Sequence, residues 1–138
     1  MAVLHPLATV NYPSSDGRPM AESDFQRQPL TYAVEALDIY FQERPDVYVS
    51  SNMFIYYEEG NQEAVVAPDV FVVLGAARRL RSSYFLWREP KGPDFVLEIT
   101  SRSTRSQDQG PKRGTYAFLQ VQEYFQYDPT GDYLRPPL

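Results

Sequence analysis

Eight residues constrain this chain more than any others: Pro93-Asp94-Phe95-Val96-Leu97-Glu98-Ile99-Thr100. Side chains on a strand alternate between faces, so Phe95, Leu97 and Ile99 fall on one side and Asp94, Val96, Glu98 and Thr100 on the other. The first face is built for burial, while the second carries two carboxylates. Acids are among the residues that strands use least. Glu98 therefore points either to water from an exposed sheet face or into a cleft where a cation balances it, and alternation alone leaves both readings open.

The rest of the composition narrows what such a cleft could do. At 138 residues the chain is most simply one domain with its own core, and eleven Tyr and eight Phe favour a sheet-rich globule over disorder. There is no cysteine, which removes disulfides, thiolate zinc sites and a cysteine nucleophile together. His5 is the only histidine and stands at the N-terminus, so histidine-based triads and metal centres are not expected. A metal site here must use oxygen ligands, which select hard cations such as Mg²⁺ or Mn²⁺. No apolar run approaches the roughly 20 residues of a membrane span. The N-terminus lacks the basic and apolar segments of a signal peptide, so a cytoplasmic protein without membrane contact is expected.

The net charge of −5 is unevenly spread. Residues 1–77 hold three basic and eleven acidic side chains, whereas residues 78–113 hold nine basic and four acidic. The segment around the Glu98 strand is thus a basic patch in an acidic protein. Arg78, Arg79, Arg81, Arg105 and Arg113 are its candidate phosphate contacts. The same arginines serve equally well as scattered, solubilising surface charge.

Along the chain, residues 1–20 are rich in Pro, Ser and Gly and read as a flexible arm, leaving 21–138 as the domain. Ser23 or Asp24 can cap a helix running to about Arg44, with Leu30, Ala33, Val34, Leu37, Tyr40 and Phe41 as its apolar stripe. Pro29 implies a kink or a later start. Val47–Ser51 and Met53–Tyr57 read as sheet, residues 58–62 as a turn, and Val65–Leu74 as a long apolar strand. Pro68-Asp69 interrupts that strand, so an edge, bulge or break is expected there. An acid at the mouth of a buried strand is the second oddity, although Pro-Asp is also ordinary turn chemistry. Residues 75–92 mix arginines with Tyr84, Phe85 and Trp87, which suits nucleic-acid contacts or a loop folded onto its own domain. After a polar loop holding Ser103, Thr104, Arg105 and Asp108, Pro111 opens a helix to about Gln120, with Lys112 and Arg113 in its first turn. Cations oppose the macrodipole there, so an anion nearby is expected, either an acidic cluster or phosphate. Val121–Tyr127 reads as the last strand.

The order Pro68-Asp69, Glu98-Ile99-Thr100, Asp108, Lys112, Tyr116 resembles the Uma-type family of restriction-endonuclease-like proteins, within the PD-(D/E)xK nuclease superfamily. The resemblance runs through Arg44-Pro45-Asp46-Val47-Tyr48-Val49, Tyr56-Tyr57-Glu58-Glu59-Gly60, Ala67-Pro68-Asp69-Val70 and Val121-Gln122-Glu123-Tyr124-Phe125. It implies an α/β fold with a restriction-endonuclease-like central mixed β-sheet flanked by α-helices. It also implies a metal-dependent endonuclease that hydrolyses DNA phosphodiester bonds. Asp69 and Glu98 would hold Mg²⁺ or Mn²⁺ together with a strand carbonyl, that of Ile99, and Lys112 would be the catalytic cation. Thr100 stands where the superfamily places its lysine, and Asp94 and Asp108 are auxiliary candidates. Relatives tend to continue into further sheet beyond Pro136-Pro137-Leu138, so an edge strand that a homodimer or a further segment would pair is expected. The contrasting expectations are an inactive nuclease scaffold that binds nucleic acid, and a module that uses its aromatic surface for protein contacts.

Overall fold

A computed structural model describes residues 10–17, 23–100 and 111–130. The polar loop with Ser103, Thr104, Arg105 and Asp108 lies outside the described residues, as do residues 131–138. The elements in order are α1 (Asp24–Tyr40), β1 (Val47–Ser51), β2 (Ile55–Tyr56), β3 (Val65–Val66), β4 (Val70–Leu74), β5 (Tyr84–Phe85), a 3₁₀ turn (Leu86–Arg88), β6 (Phe95–Ile99), α2 (Pro111–Phe118) and β7 (Glu123–Tyr127).

Two mixed sheets form the centre. The larger has the order β1-β4-β6-β7, with β4 antiparallel to both β1 and β6 and β7 parallel to β6. The smaller, β3-β2-β5, pairs β2 antiparallel to β3 and parallel to β5. The apolar stretch expected as one strand, Val65–Leu74, is therefore split between two sheets. Pro68 is the physical reason, since it cannot donate to a ladder and the chain changes sheets around it. Met53–Tyr57 likewise does not continue β1, because Asn52 adopts a left-handed φ of 50° and redirects the backbone into the second sheet. Asparagine tolerates that conformation better than most side chains.

Helix α1 begins at Asp24 and carries Pro29 inside it, instead of starting later. Ser23 stands at the N-cap in extended conformation, and its carbonyl accepts from the Gln26 and Arg27 N–H groups. The helix ends at Tyr40, four residues before the expected Arg44. Tight turns follow, with the Arg44 N–H donating to the Phe41 carbonyl at 2.9 Å, and Pro45 disfavours helix at the residue before it. Helix α1 lies across β1, β4 and β6. Leu37 and Phe41 share a cavity with Val72, Leu74 and Phe95 on that face, whereas Tyr40 points to solvent.

The opposite face of the large sheet is the core. Tyr48, Phe71, Val73 and Val96 pack there against Ile55 and Tyr84 of the small sheet and Tyr116 of α2. This corrects the simplest reading of β6. The face of Val96, Glu98 and Thr100 is the more deeply buried one, with Glu98 only 1 % exposed, while on the other face Phe95 and Leu97 are half-buried and Ile99 is buried. A strand covered on both faces loses the alternation that would mark its buried side.

Within the segment expected as a flexible arm, Tyr12 is docked. Its ring lies 5.1 Å from Tyr56 and 5.4 Å from both Phe85 and Trp87, and its hydroxyl accepts from the Gly60 N–H at 2.8 Å. The Tyr56 hydroxyl donates to the Pro13 carbonyl. Arm and connector therefore meet in one aromatic cluster over the small sheet.

Burial raises the Tyr84 phenol well above its ordinary value, and the same holds for Tyr116, where the charge of Glu98 adds to it. Both groups bind their proton more tightly folded than unfolded. Their contribution to stability is complete below the unfolded value near 10 and is lost as pH rises above it. Thermal unfolding followed from pH 8 to 11 should show a melting temperature that falls above about pH 10. Tyr84→Phe should flatten that fall, and an unchanged slope would assign the alkaline loss to other groups.

Candidate active site

The antiparallel register of β4 and β6 pairs Val70 with Leu97 and Phe71 with Val96. One step further along the same register stand Asp69 and Glu98. Glu98 shares the parity of Val96 and leaves β6 on the buried face, while half-buried Asp69 directly precedes β4. Directly opposed residues of such a pair hold their Cβ atoms roughly 4.5–5.5 Å apart. Asp69 is also anchored across the strands, where its Oδ2 accepts the Ile99 N–H at 2.7 Å. From the other side, the Asn52 N–H contacts the carbonyls of Pro68 and Asp69 at 3.1 and 3.2 Å. The break at Pro68 thus positions Asp69 instead of loosening it.

Helix α2 reaches the same point. The Lys112 Nζ lies 3.6 Å from Glu98 Oε2, and the Tyr116 hydroxyl donates to Glu98 Oε1 at 2.6 Å. Lys112 and Tyr116 are four residues apart, which places them on one helix face. In the first turn of α2, Lys112 has an anion beside it, the buried carboxylate of Glu98. Lys112 keeps 24 % of its side-chain surface exposed, so the cluster opens to solvent on that side.

The oxygen donors suit a hard cation. Among the described residues, no group of three or more His, Cys, Asp or Glu side chains converges on a point. A cation here would rest on two carboxylates, a backbone carbonyl and water, which is how Mg²⁺ is often held. Each ionised carboxylate offers roughly four acceptor positions, so the bonds to Ile99 and Tyr116 do not by themselves close the pair to a cation.

Over residues 7–135 the sequence matches Uma2, a family described as "Putative restriction endonuclease". The chain belongs to the Uma2 family. None of the proteins with curated functions matches it. Among solved structures, a "putative nuclease belonging to DUF820" from Anabaena variabilis shares 15 % identity with a TM-score of 0.52. The superposition covers 85 % of this chain and 65 % of that one, so this chain spans less than two thirds of that protein's length. The likeness establishes a nuclease-type α/β fold for this Uma2 chain.

Other expected site residues of the Uma2 chain lie elsewhere. Asp94 is four residues from Glu98, roughly 13 Å along the strand. Its carboxylate pairs with Lys91 and accepts the Leu74 N–H at 2.7 Å, tying the far end of β4 to the start of β6. This corrects its role as an auxiliary ligand. Thr100 is buried, with its hydroxyl donating to the Tyr127 carbonyl at 3.2 Å. The cation beside Glu98 comes from α2 and not from β6. Asp108 and Arg105 lie outside the described residues.

The basic connector is largely turned onto its own domain. Arg81 grips Glu89 through two bonds of 2.8 and 3.0 Å, donates to the Ala77 carbonyl at 2.9 Å and lies 4.1 Å over the Tyr48 ring. Its side chain is 2 % exposed, which corrects its expected role as a phosphate contact. Burial opposes its charge, and the bonds and charge of Glu89 outweigh that and raise its pKa. Arg78 pairs with Asp38 of α1 and Arg79 with Glu89, while Arg113 is exposed on α2. Sequence reasoning gave Asn52 and Tyr116 no role at this site. The position of Asn52 directly after a strand was the available signal for the first. For Tyr116 the signal was its four-residue spacing from Lys112.

Proposed function

We propose that this Uma2 protein is a metal-dependent endonuclease that hydrolyses phosphodiester bonds of DNA. The observation that supports this reading is the Lys112 Nζ of α2 lying 3.6 Å from Glu98 Oε2, beside the end of the β4–β6 register that sets Asp69, just before β4, next to β6. The family's description as a restriction endonuclease supports DNA as the substrate class.

In this reading Asp69, Glu98 and the Ile99 carbonyl hold Mg²⁺ or Mn²⁺. The ion supplies charge neutralisation and a more acidic water. Hydrolysis forms a phosphorus–oxygen bond to water and breaks the one to the leaving sugar oxygen, so negative charge builds on the phosphate. Lys112, held at the rim by Glu98, contributes a fixed positive charge toward it. Asp69 is kept in place by the Ile99 and Asn52 N–H groups, so the site is oriented before substrate arrives.

Supercoiled plasmid tests this reading. Wild-type protein is expected to nick and linearise it with Mg²⁺ or Mn²⁺ and to stop when EDTA is added. Lys112→Met should lower the rate by roughly 10²–10³-fold while Mn²⁺ binding persists. Absence of cleavage with either metal would overturn the enzymatic reading. The alternative, a nuclease scaffold that serves as an interaction module, draws support from the pairing of Arg78, Arg79, Arg81 and Lys91 with acids of their own chain. It predicts DNA affinity that responds only weakly to salt, because few cations remain to displace counterions.

A further inference from the structure

Helix α2 holds the Glu98 carboxylate at both oxygens, and the two grips are chemically different. Lys112 approaches Oε2 as a charge at 3.6 Å, and Tyr116 approaches Oε1 as a neutral hydrogen-bond donor at 2.6 Å. We infer that Tyr116 is a positioning residue of the metal site, orienting the Glu98 carboxylate for a divalent cation without cancelling its charge. The inference rests on the metal-nuclease reading above and extends it to a residue outside the acid–lysine constellation.

Charge and rigidity set the phenol apart from a cationic partner. A glutamate has three rotatable side-chain bonds, and a carboxylate free to rotate must be ordered when a cation binds, at a cost in affinity. A lysine or arginine at position 116 would order it equally well but would compete with the cation for the same charge. A phenol donates one short bond and leaves the charge in place. Tyr116 can do this because it is itself immobile. It is 1 % exposed, its ring lies 5.0 Å from that of Tyr124 on β7, and its carbonyl accepts the Val121 N–H at 3.0 Å. A phenol holds its proton through the neutral range and so stays a donor. Groups that orient a metal ligand in this way typically alter metal affinity or activity by roughly 10–100-fold when removed.

Mn²⁺ binding provides a readout independent of turnover. Titration calorimetry and electron paramagnetic resonance would compare wild type, Tyr116→Phe, Glu98→Gln and the double variant. Tyr116→Phe keeps the ring and its packing, and circular dichroism verifies the fold. It is expected to weaken Mn²⁺ binding by roughly 10–100-fold and to raise the Mn²⁺ concentration needed for half-maximal cleavage by a similar factor. The rate at saturating metal should stay within about threefold of wild type, since the hydroxyl acts through Glu98. In the Glu98→Gln background, where the charge that the hydroxyl orients is gone, the same change should cost clearly less than in wild type. Unchanged Mn²⁺ affinity in Tyr116→Phe, or an equal loss in both backgrounds, would overturn the inference while leaving the nuclease reading intact. A wild-type protein that binds no Mn²⁺ would overturn both.

Discussion

Replacing Glu98 by glutamine is expected to reduce metal-dependent DNA cleavage by roughly 10³-fold or more, the equivalent of about 4 kcal/mol of transition-state stabilisation. The change removes one negative charge and almost no volume. Glutamine can still accept the Tyr116 hydroxyl through its amide oxygen, so the geometry around α2 is preserved. What is lost is the ion pair with Lys112 and half of the carboxylate charge available to a cation. Because the side chain is 1 % exposed, desolvation already opposes the native charge, and its removal should shift unfolding stability by only about 1–2 kcal/mol, in either direction. Activity and stability thus respond on different scales, which separates a functional acid from a structural one. Asp69→Asn should behave alike, since an amide oxygen can accept the Ile99 N–H. The pairing is checked by cleavage rates beside thermal unfolding with and without Mg²⁺. Wild-type stability should rise with Mg²⁺ by mass action, and that of the two variants should not. Full activity in Glu98→Gln would reduce Glu98 to a core acid with no part in the chemistry.

The largest effect on stability is expected far from that site. Glu89→Ala should destabilise the fold by about 3–5 kcal/mol, a large part of the 5–15 kcal/mol typical of a whole domain. The Arg81 and Glu89 side chains are 2 % and 6 % exposed and share two hydrogen bonds, so deleting the acid strands a guanidinium against Tyr48 and Tyr84. An arginine cannot neutralise itself to escape, because its pKa lies too far above neutral. The corresponding drop in melting temperature is roughly 10 °C or more. The double replacement Arg81→Met with Glu89→Leu should recover most of the loss, as buried ion pairs replaced whole by apolar groups usually do. Denaturant unfolding of the three variants checks this. A loss below about 1 kcal/mol in Glu89→Ala would mean that the pair behaves as a surface salt bridge. The connector's arginines were read from sequence as open between phosphate binding and self-packing. For Arg81 the tertiary contacts decide in favour of packing.

Much of the fold was legible because its signals are local. The helical stripe from Leu30 to Phe41, the apolar block Val70–Val73 and the Pro111 helix start each follow from neighbours within a few positions. Errors clustered where long-range contact overrules local preference. Val65–Leu74 divides between two sheets. Tyr12 leaves the arm to join the rings of Tyr56, Phe85 and Trp87.

The site divides in the same way. Residue types marked Asp69 and Glu98 as oddities and limited any metal chemistry to oxygen ligands, because an acid in mid-strand and the absence of cysteine are properties of the chain alone, whereas grouping them with Lys112 came from the resemblance to the Uma-type family. Which face of β6 is buried, that Asp94 ties strand ends instead of joining Glu98, and that Tyr116 closes on Glu98 are decisions of the tertiary structure. They depend on what covers each sheet face. That cover comes from α2 and the small sheet, whose segments stand 12 or more positions away from Glu98 in the sequence. No periodicity read along a single strand contains it.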